Sequence, residues 1–220
     1  MKQKDIINMI QILKATYPDA KCSLDFTTPF ELLFAVVLSA QCTDKRVNLT
    51  TPNIFNKYNT PQAIADIPIS DLENLIHPCG FYKTKAKNLK AAAQKIISDF
   101  NGQVPNNMED LMSLPGVGRK SANVIMLEAF NLPQGIAIDT HAKRLSNRIG
   151  LSSESDPKKI EEDLIKIIPA EYYKDINHLF MWHGRNTCTS QSPKCENCCI
   201  KKYCKHYCVV HLRKCLKNHV

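Results

Sequence analysis

The chain has 220 residues, of which 44% are hydrophobic and 23% charged, and its net charge is +8. This length allows one large domain or two small ones, each with a real core. The longest uncharged apolar run, residues 32–41, is far short of the ~20 residues of a membrane span. The first segment, residues 1–19, is amphipathic and charged, which excludes a signal peptide. We therefore expect a cytoplasmic protein with no export signal.

Helical signals follow one another along the chain, and no convincing alternating strand interrupts them. Apolar residues repeat at helical spacing in the first segment, and a capping box with proline at the first helical position begins a helix at Thr28 that reaches about Gln41. The sequence therefore predicts an all-α fold. Further helices are predicted at residues 43–48, from 60, at 70–77 (a second capping box at its start), 84–100, 108–113, 140–149, 157–169 and 170–184.

A short glycine-rich turn, PGVG at residues 115–118, precedes an apolar run of helical length. Gly116 and Gly118 can take φ > 0, so the backbone can curl into an anion nest at the start of the next helix. Such a nest suits a phosphate. Arg119 and Lys120 follow in the first helical turn, where a cation is disfavoured and a lysine should lose its proton more readily. A partly neutral lysine is a nucleophile that can form a Schiff base.

Asp139 is the carboxylate that could act with this lysine. The helix from Lys120 to Phe130 rises roughly 15 Å at ~1.5 Å per residue. The loop at residues 131–138 can span up to about 26 Å. The chain can therefore return Asp139 to the end of the helix that carries Lys120. The alternative is a tight turn between two packed helices, with Lys120 solvated and Asp139 capping the next helix.

Positive charge is distributed unevenly along the chain. No acidic residue separates five lysines between positions 83 and 95, and none follows Glu196, after which basic residues continue. Such a lopsided field indicates a polyanion partner, nucleic acid first, although a merely soluble basic surface is the alternative. The basic residues concerned are Lys83, Lys85, Lys87, Lys90, Lys95, Lys201, Lys202, Lys205, Arg213, Lys214 and Lys217.

Four of the ten cysteines form a cluster with the spacing C-x6-C-x2-C-x5-C: Cys188, Cys195, Cys198 and Cys204. In a reducing compartment such a cluster indicates a metal rather than disulfides. Four thiolates suit zinc and a [4Fe–4S] cluster equally in ligand type. Zinc sites usually contain two short pairs and this chain has one, which favours iron–sulfur. Cys199 offers an alternative spacing.

Three motifs in this order, LPGVGRK, IDTHAKR and the four cysteines, resemble the endonuclease III family of bifunctional DNA glycosylase/AP lyases. LSAQCTD at residues 38–44 and GFYKTKAKN at 80–88 match it too, so the resemblance covers about residues 1–207. It implies two all-α domains with a cleft between them. A six-helix domain with a helix-hairpin-helix would comprise residues 22–132. An iron–sulfur cluster domain would combine 1–21 with 133–207, followed by a basic tail at 208–220.

The resemblance also implies an activity and its residues. The enzyme would remove oxidised pyrimidines in base excision repair and cut the strand by β-elimination through a lysine Schiff base. Lys120 matches the nucleophile and Asp139 the family's aspartate, while the four cysteines match ligands of a [4Fe–4S] cluster with a mainly structural and DNA-positioning role. Gln41 and Phe81 match residues that fill the gap left by a flipped nucleotide. The DNA-binding residues implied are Gln41, Phe81, Leu114, Gly116, Gly118, Arg119 and His141.

The implied partner is double-stranded DNA containing damaged pyrimidines or abasic sites, bound by a nucleoid-associated monomer with no membrane contact. One departure is the wedge residue, commonly leucine in the family, where Phe81 is bulkier; apolar wedges of several shapes can unstack a base step. Two alternatives stay open. A monofunctional mismatch glycosylase generally lacks the lysine, and a non-enzymatic DNA-binding module with a structural metal leaves Lys120 and Asp139 unexplained.

Overall fold

The computed structural model describes residues 1–210, and in them it is helical throughout, with no strand. This confirms the all-α prediction. No helix among these residues combines the length and the hydrophobicity needed to cross a membrane. Of the predicted basic tail, residues 211–220 lie outside the described part. The α-helices are α1 Gln3–Thr16, α2 Pro29–Ser39, α3 Asp44–Phe55, α4 Pro61–Asp66, α5 Ile69–Ile76, α6 Tyr82–Phe100, α7 Met108–Ser113, α8 Arg119–Phe130, α9 Thr140–Ile149, α10 Pro157–Ile167 and α11 Tyr173–Asn186.

The described chain divides into two compact units, one formed by Cys22–Gln134 and the other by Met1–Lys21 with the described residues from Gly135 onward. The division after residue 134 falls two residues later than the boundary expected from the sequence.

The unit Cys22–Gln134 is built around α2. Every residue of this helix from Phe30 to Leu38 is buried, including Glu31. A helix that is apolar on all sides must be surrounded by others, and α3, α6 and α8 pack against it. The buried Glu31 carboxylate accepts hydrogen bonds from the N–H and the hydroxyl of Thr27, both at 2.6 Å. The central helix therefore begins at a fixed place.

The other unit has its own core, to which α1, α9, α10 and α11 contribute. Helix α1 packs against α11, and α11 against α9. Fully buried side chains on these helices include Met9, Leu145 and Phe180. An ion pair between Lys14 and Asp175, 2.8 Å long and partly exposed, also joins α1 to α11. Helix α9, which carries most of the motif IDTHAKR, is therefore part of this core through its packing on α11.

Most predicted helix starts are confirmed by side-chain caps. Thr28, Thr60 and Asp156 each accept a hydrogen bond from the backbone N–H three residues later. The predicted capping box at Ser70 is wrong, since α5 begins earlier, after Pro68, whose carbonyl accepts from the N–H of Asp71 at 3.0 Å. Ser70 therefore lies inside the helix.

Helix α3 is longer than predicted and continues past position 48 to Phe55 with Pro52 inside it. A proline in a helix interior costs about 3 kcal/mol. Val47, Thr51 and Ile54 lie on one face at helical spacing, and all three are buried. Their burial stabilises the continued helix and outweighs the proline.

Candidate active site

The turn between α7 and α8 is a tight hairpin anchored by two apolar side chains. Leu114 and Val117 are buried, and the N–H of Val117 donates to the carbonyl of Leu114 at 3.1 Å. Gly116 has φ +84°, and a Cβ there would lie 3.1 Å from the Cβ of Asn88. Gly118 has φ −93°. Of the two glycines, Gly116 is the one that the backbone requires.

The start of α8 has no side-chain cap. Its N-cap residue is Gly118, whereas α2, α3, α4 and α7 of the same unit are each capped by a threonine or asparagine side chain. The first N–H groups of a helix have no intrahelical partner and carry a partial positive charge. The hairpin therefore presents backbone donors suited to a phosphate, next to the exposed residues Arg119 and Lys120.

Lys120 is the predicted nucleophile, and its positive charge acts on the thiol of Cys22 in the same unit. Burial raises the pKa of the Cys22 thiol to about 11, and the positive charge of Lys120 opposes that rise while Glu128 and Asp44 add to it. These three side chains therefore lie close enough to Cys22 to act on one thiol.

Gln41 and Phe81 both have a left-handed backbone conformation. Both are exposed, Phe81 by 66%, and both have positive φ, 52° and 47°. The other non-glycine residues with positive φ among residues 1–210 are asparagines that follow a helix end, Asn101 and Asn131. Asparagine tolerates this region, whereas glutamine and phenylalanine rarely adopt it. Strain of this kind clusters at functional sites.

The lysines of α6 are less available to a polyanion than the sequence indicated. Lys85 is buried and Lys90 partly buried, and each donates to two backbone carbonyls. Lys95 pairs with the aspartate one turn later. Lys83 and Lys87 are exposed. Three of the five lysines therefore bind groups of the protein and two are exposed to solvent. The sequence alone could not distinguish the two groups.

Asp139 and His141 lie at the start of α9, in the other unit. One oxygen of Asp139 accepts from the N–H of Ala142 at 2.7 Å, so this residue is the N-cap of α9. His141 is partly buried beside Gly184, where an added Cβ would lie 2.7 Å from its Nδ1. Burial lowers the pKa of His141, with the charge of Arg144 acting in the same direction and Asp139 opposing it. The pairing of Lys120 with Asp139 stays a prediction.

The four cysteines meet around one pocket. Cys188, Cys195, Cys198 and Cys204 line one small pocket that is partly open to solvent. Cys199 is not part of its lining in the described residues. Within residues 1–210, no three histidine, cysteine, aspartate or glutamate side chains converge closely enough to hold a single metal ion.

Hydrogen bonds from neighbouring helices reach two of these sulfur atoms. A guanidinium nitrogen of Arg148 donates to Cys188 Sγ at 3.4 Å, and Nε2 of His183 lies 3.4 Å from Cys198 Sγ. The buried ring of His183 is held by the hydroxyl of Tyr17, 2.9 Å from its Nδ1. Hydrogen-bonding neighbours of this kind orient and tune ligand sulfurs. Arg148 and His183 were missed at the sequence level because they lie outside the cysteine spacing.

Comparison with known proteins decides the family. A model of the HhH-GPD superfamily of base excision DNA repair proteins matches residues 34–170. An endonuclease III of Synechocystis is 45% identical over 203 residues, which cover 92% of this chain and 93% of the relative. The chain belongs to the endonuclease III family. The family is therefore established over almost the whole length, including both units.

Two solved structures of endonuclease III have the same fold. A non-covalent endonuclease III–DNA complex superimposes with a TM-score of 0.90 at 40% identity, covering 97% of this chain and 99% of that one. A trapped endonuclease III–DNA covalent intermediate gives the same TM-score and identity, covering 96% and 99%. Neither the mismatch glycosylase nor the non-enzymatic binding module is favoured by these matches.

Proposed function

We propose that this chain removes oxidised pyrimidines from duplex DNA and cuts the strand at the resulting abasic site through Lys120. The carrying observation is the uncapped start of α8. The hairpin leaves backbone donors for a phosphate and presents an exposed lysine in the next turn. A relative with 40% identity forms a covalent intermediate with DNA, and a lysine amine is a suitable nucleophile for such a bond.

The reaction begins with extrusion of the damaged nucleotide, because its C1′ cannot be reached inside a duplex. Gln41 and Phe81 fill the space it leaves, and the hairpin holds a phosphate without reading sequence. The Lys120 amine attacks C1′, and the bond from C1′ to the base breaks. Loss of the sugar ring oxygen bond gives a Schiff base between Lys120 and C1′. Removal of a C2′ proton then breaks the bond from C3′ to its oxygen.

Asp139 supplies the carboxylate of this reaction. A carboxylate stabilises the positive charge that develops on the sugar as the base leaves, or accepts a proton from the Lys120 ammonium. Its capping bond to Ala142 engages one oxygen, and a second oxygen belongs to the same group. The cap also fixes the orientation of the carboxylate.

The cysteines Cys188, Cys195, Cys198 and Cys204 would hold a [4Fe–4S] cluster. Their shared pocket, the exclusion of Cys199 from its lining, and the bonds from Arg148 and His183 fit such a group. When bound, the cluster supplies a covalent tie between the loops that carry the cysteines. The glycosylase and lyase steps need no redox change. The DNA partner is duplex DNA with damaged pyrimidines or abasic sites, bound by a monomer.

The variant Lys120→Gln tests the nucleophile. We expect it to lose base release and strand cleavage by about a thousandfold or more, since a nucleophile is removed, and to keep its affinity for the same duplex. Borohydride should trap the wild type, but not this variant, on an oligonucleotide with one oxidised pyrimidine. The matched control is Lys57→Gln, an exposed lysine of the same unit, which should react as the wild type does. Full lyase activity in Lys120→Gln would remove the proposed role.

A further inference from the structure

Lys85 is a buried cation with an uncommon set of partners. Its side chain is on a residue only 5% exposed, and its ammonium donates to the carbonyls of Leu38 at 2.8 Å and Cys79 at 2.9 Å. Burying a charge is costly unless it is paired. The contacts of Lys85 within residues 1–210 include no carboxylate. Burial lowers the pKa of Lys85, and the Cys42 and Cys79 thiols oppose this shift.

The two carbonyls belong to two different turns. Leu38 is the penultimate residue of α2, whose last carbonyls have no intrahelical donor, and Gln41 follows three residues later. Cys79 ends the short 3-10 turn His77–Cys79, and Phe81 follows two residues later. A cation at a helix C-terminus is also favoured by the helix dipole. The Nζ atom of Lys85 therefore holds the backbone just before Gln41 and just before Phe81.

Both of these side chains need a fixed backbone. A left-handed conformation is unfavourable for a residue other than glycine, and it persists only where the surroundings hold it. Gln41 has φ 52° and Phe81 has φ 47°. Without a tie, each turn would relax toward ordinary conformations and point its side chain elsewhere. The two hydrogen bonds donated by Lys85 reach both turns at once.

We propose that Lys85 is a positioning residue that holds Gln41 and Phe81 together in the conformations that fill the space left by an extruded nucleotide. The inference rests on the proposed function for the reaction itself and adds a residue that acts through two others. Lys85 is buried, so it acts on the backbone of the two turns rather than on DNA. Because one ammonium binds both carbonyls, the two side chains are presented as a pair.

The test compares two substrates that need the same chemistry. An abasic site in a duplex leaves a hole opposite the unpaired base, whereas the same abasic oligonucleotide as a single strand has no hole to fill. Borohydride trapping rates are measured on both for the wild type and Lys85→Met. We expect the ratio of duplex rate to single-strand rate to fall at least about fivefold in Lys85→Met, because small displacements of positioning groups cost large factors in rate.

Lys90→Met is the matched control. Lys90 lies in the same helix and also donates to two carbonyls, those of Ala65 and Ile67, which precede neither Gln41 nor Phe81. It loses the same kind of contact, so a comparable drop in melting temperature is expected. The ratio of duplex rate to single-strand rate should stay within twofold of the wild type. A fall in this ratio equal to that of Lys85→Met would mean that any loosening of α6 has the same effect, and would overturn the proposal.

A third measurement asks whether Lys85 acts through the two side chains. In the double variant Gln41→Ala with Phe81→Ala, adding Lys85→Met should lower the ratio by less than twofold, since residues that act as a unit are not additive. A full additional fall would contradict the proposal, as would an unchanged ratio in Lys85→Met alone. If Lys85→Met gives no folded protein, Lys85→Gln replaces it. A glutamine side chain is shorter and uncharged, so it cannot reproduce both bonds of the ammonium; a reduced ratio is expected and a wild-type ratio contradicts the inference.

The same substrates separate this inference from the proposed function. A wild-type protein that borohydride traps on neither substrate would overturn the Schiff-base chemistry, and the positioning role with it. A wild type that is trapped on both, with Lys85→Met trapped equally well on both, would overturn the positioning role alone.

Discussion

At the scale of single residues, Asp139 has two roles that one substitution can separate. It caps α9 through one carboxylate oxygen, 2.7 Å from the N–H of Ala142, and we propose that its charge serves the reaction. Asparagine caps a helix about as well as aspartate does, while alanine does not cap at all. The capping role belongs to the side-chain oxygen and the catalytic role to the charge.

We therefore expect Asp139→Asn to melt close to the wild type, whereas Asp139→Ala loses about 1 kcal/mol of unfolding free energy, or about 2–4 °C in melting temperature. Both variants should lose base release by a similar large factor, because both lack the charge. Thermal unfolding and single-turnover base release are measured side by side. If Asp139→Asn kept the wild-type rate, Asp139 would be only a helix cap.

The sequence predicts a role for some single residues and gives no sign of one for others. The lysine that follows the hairpin is recognisable because it stands in an unusual place for a cation. Lys85 looks the same as Lys83 and Lys87 in the sequence, since it differs from them only in the face of α6 on which it lies. Which lysine of a basic run points inward depends on which carbonyls end neighbouring helices, and that is a property of the packing.

At the scale of elements, the hairpin and the start of α8 combine two glycines with different requirements. Gly116 has φ +84° and packs on Asn88, while Gly118 has φ −93° and an open neighbourhood. The sequence treats them alike, since both could take positive φ. In the structure, Gly116 is the glycine that lies close to a neighbouring side chain, and Gly118 is the glycine at the open start of α8.

Gly118→Ser should therefore change stability and DNA affinity in opposite directions. A serine at an N-cap accepts a hydrogen bond from the first helical turn and stabilises by a few tenths of a kcal/mol relative to glycine. The same bond occupies a donor that we propose for a phosphate, so binding to duplex DNA should weaken several-fold, as measured by fluorescence anisotropy. Gly116→Ala is the comparison, and it should lower the unfolding free energy by about 1–2 kcal/mol through its left-handed backbone. Tighter DNA binding by Gly118→Ser would contradict the phosphate role.

Helix starts were predicted well because side-chain caps are local. Thr28, Thr60 and Asp156 each cap the helix that their own neighbours form. Two helix bounds differ from the prediction: α3 continues through Pro52 and buries Ile54, and α5 begins after Pro68, whose carbonyl accepts from the N–H of Asp71. In α3 the unfavourable proline is outweighed by the burial of several apolar side chains, each of which contributes about 1.5–3 kcal/mol.

At the scale of the whole molecule, each unit has its own apolar core, and the four predicted ligand cysteines lie near the end of the described chain. Residues 195–204 contain two single-turn 3-10 helices and contribute Ile200 to the buried core. Nε2 of His183 lies 3.4 Å from Cys198 Sγ, and the thiol of Cys204 donates to the carbonyl of Arg148 at 3.4 Å. Sequence spacing identified the four cysteines because metal ligands need thiols at short intervals, but it could not choose between Cys198 and Cys199.

Replacing single cysteines tests the ligand set and its contribution to stability together. Cys204→Ser removes a thiol that lines the shared pocket, whereas Cys199→Ser changes a neighbour that does not line it. We expect purified wild-type protein and Cys199→Ser to absorb at about 400 nm, as thiolate-bound iron does, and to contain iron and sulfide. Cys204→Ser should lose much of this absorption and melt at a lower temperature, because a ligand that binds only the folded state stabilises it.

Loss of iron from Cys199→Ser, with a normal iron content in Cys198→Ser, would mean that Cys199 rather than Cys198 is the ligand. A colourless wild-type protein that contains zinc would replace the iron–sulfur proposal, since zinc also binds four thiolates.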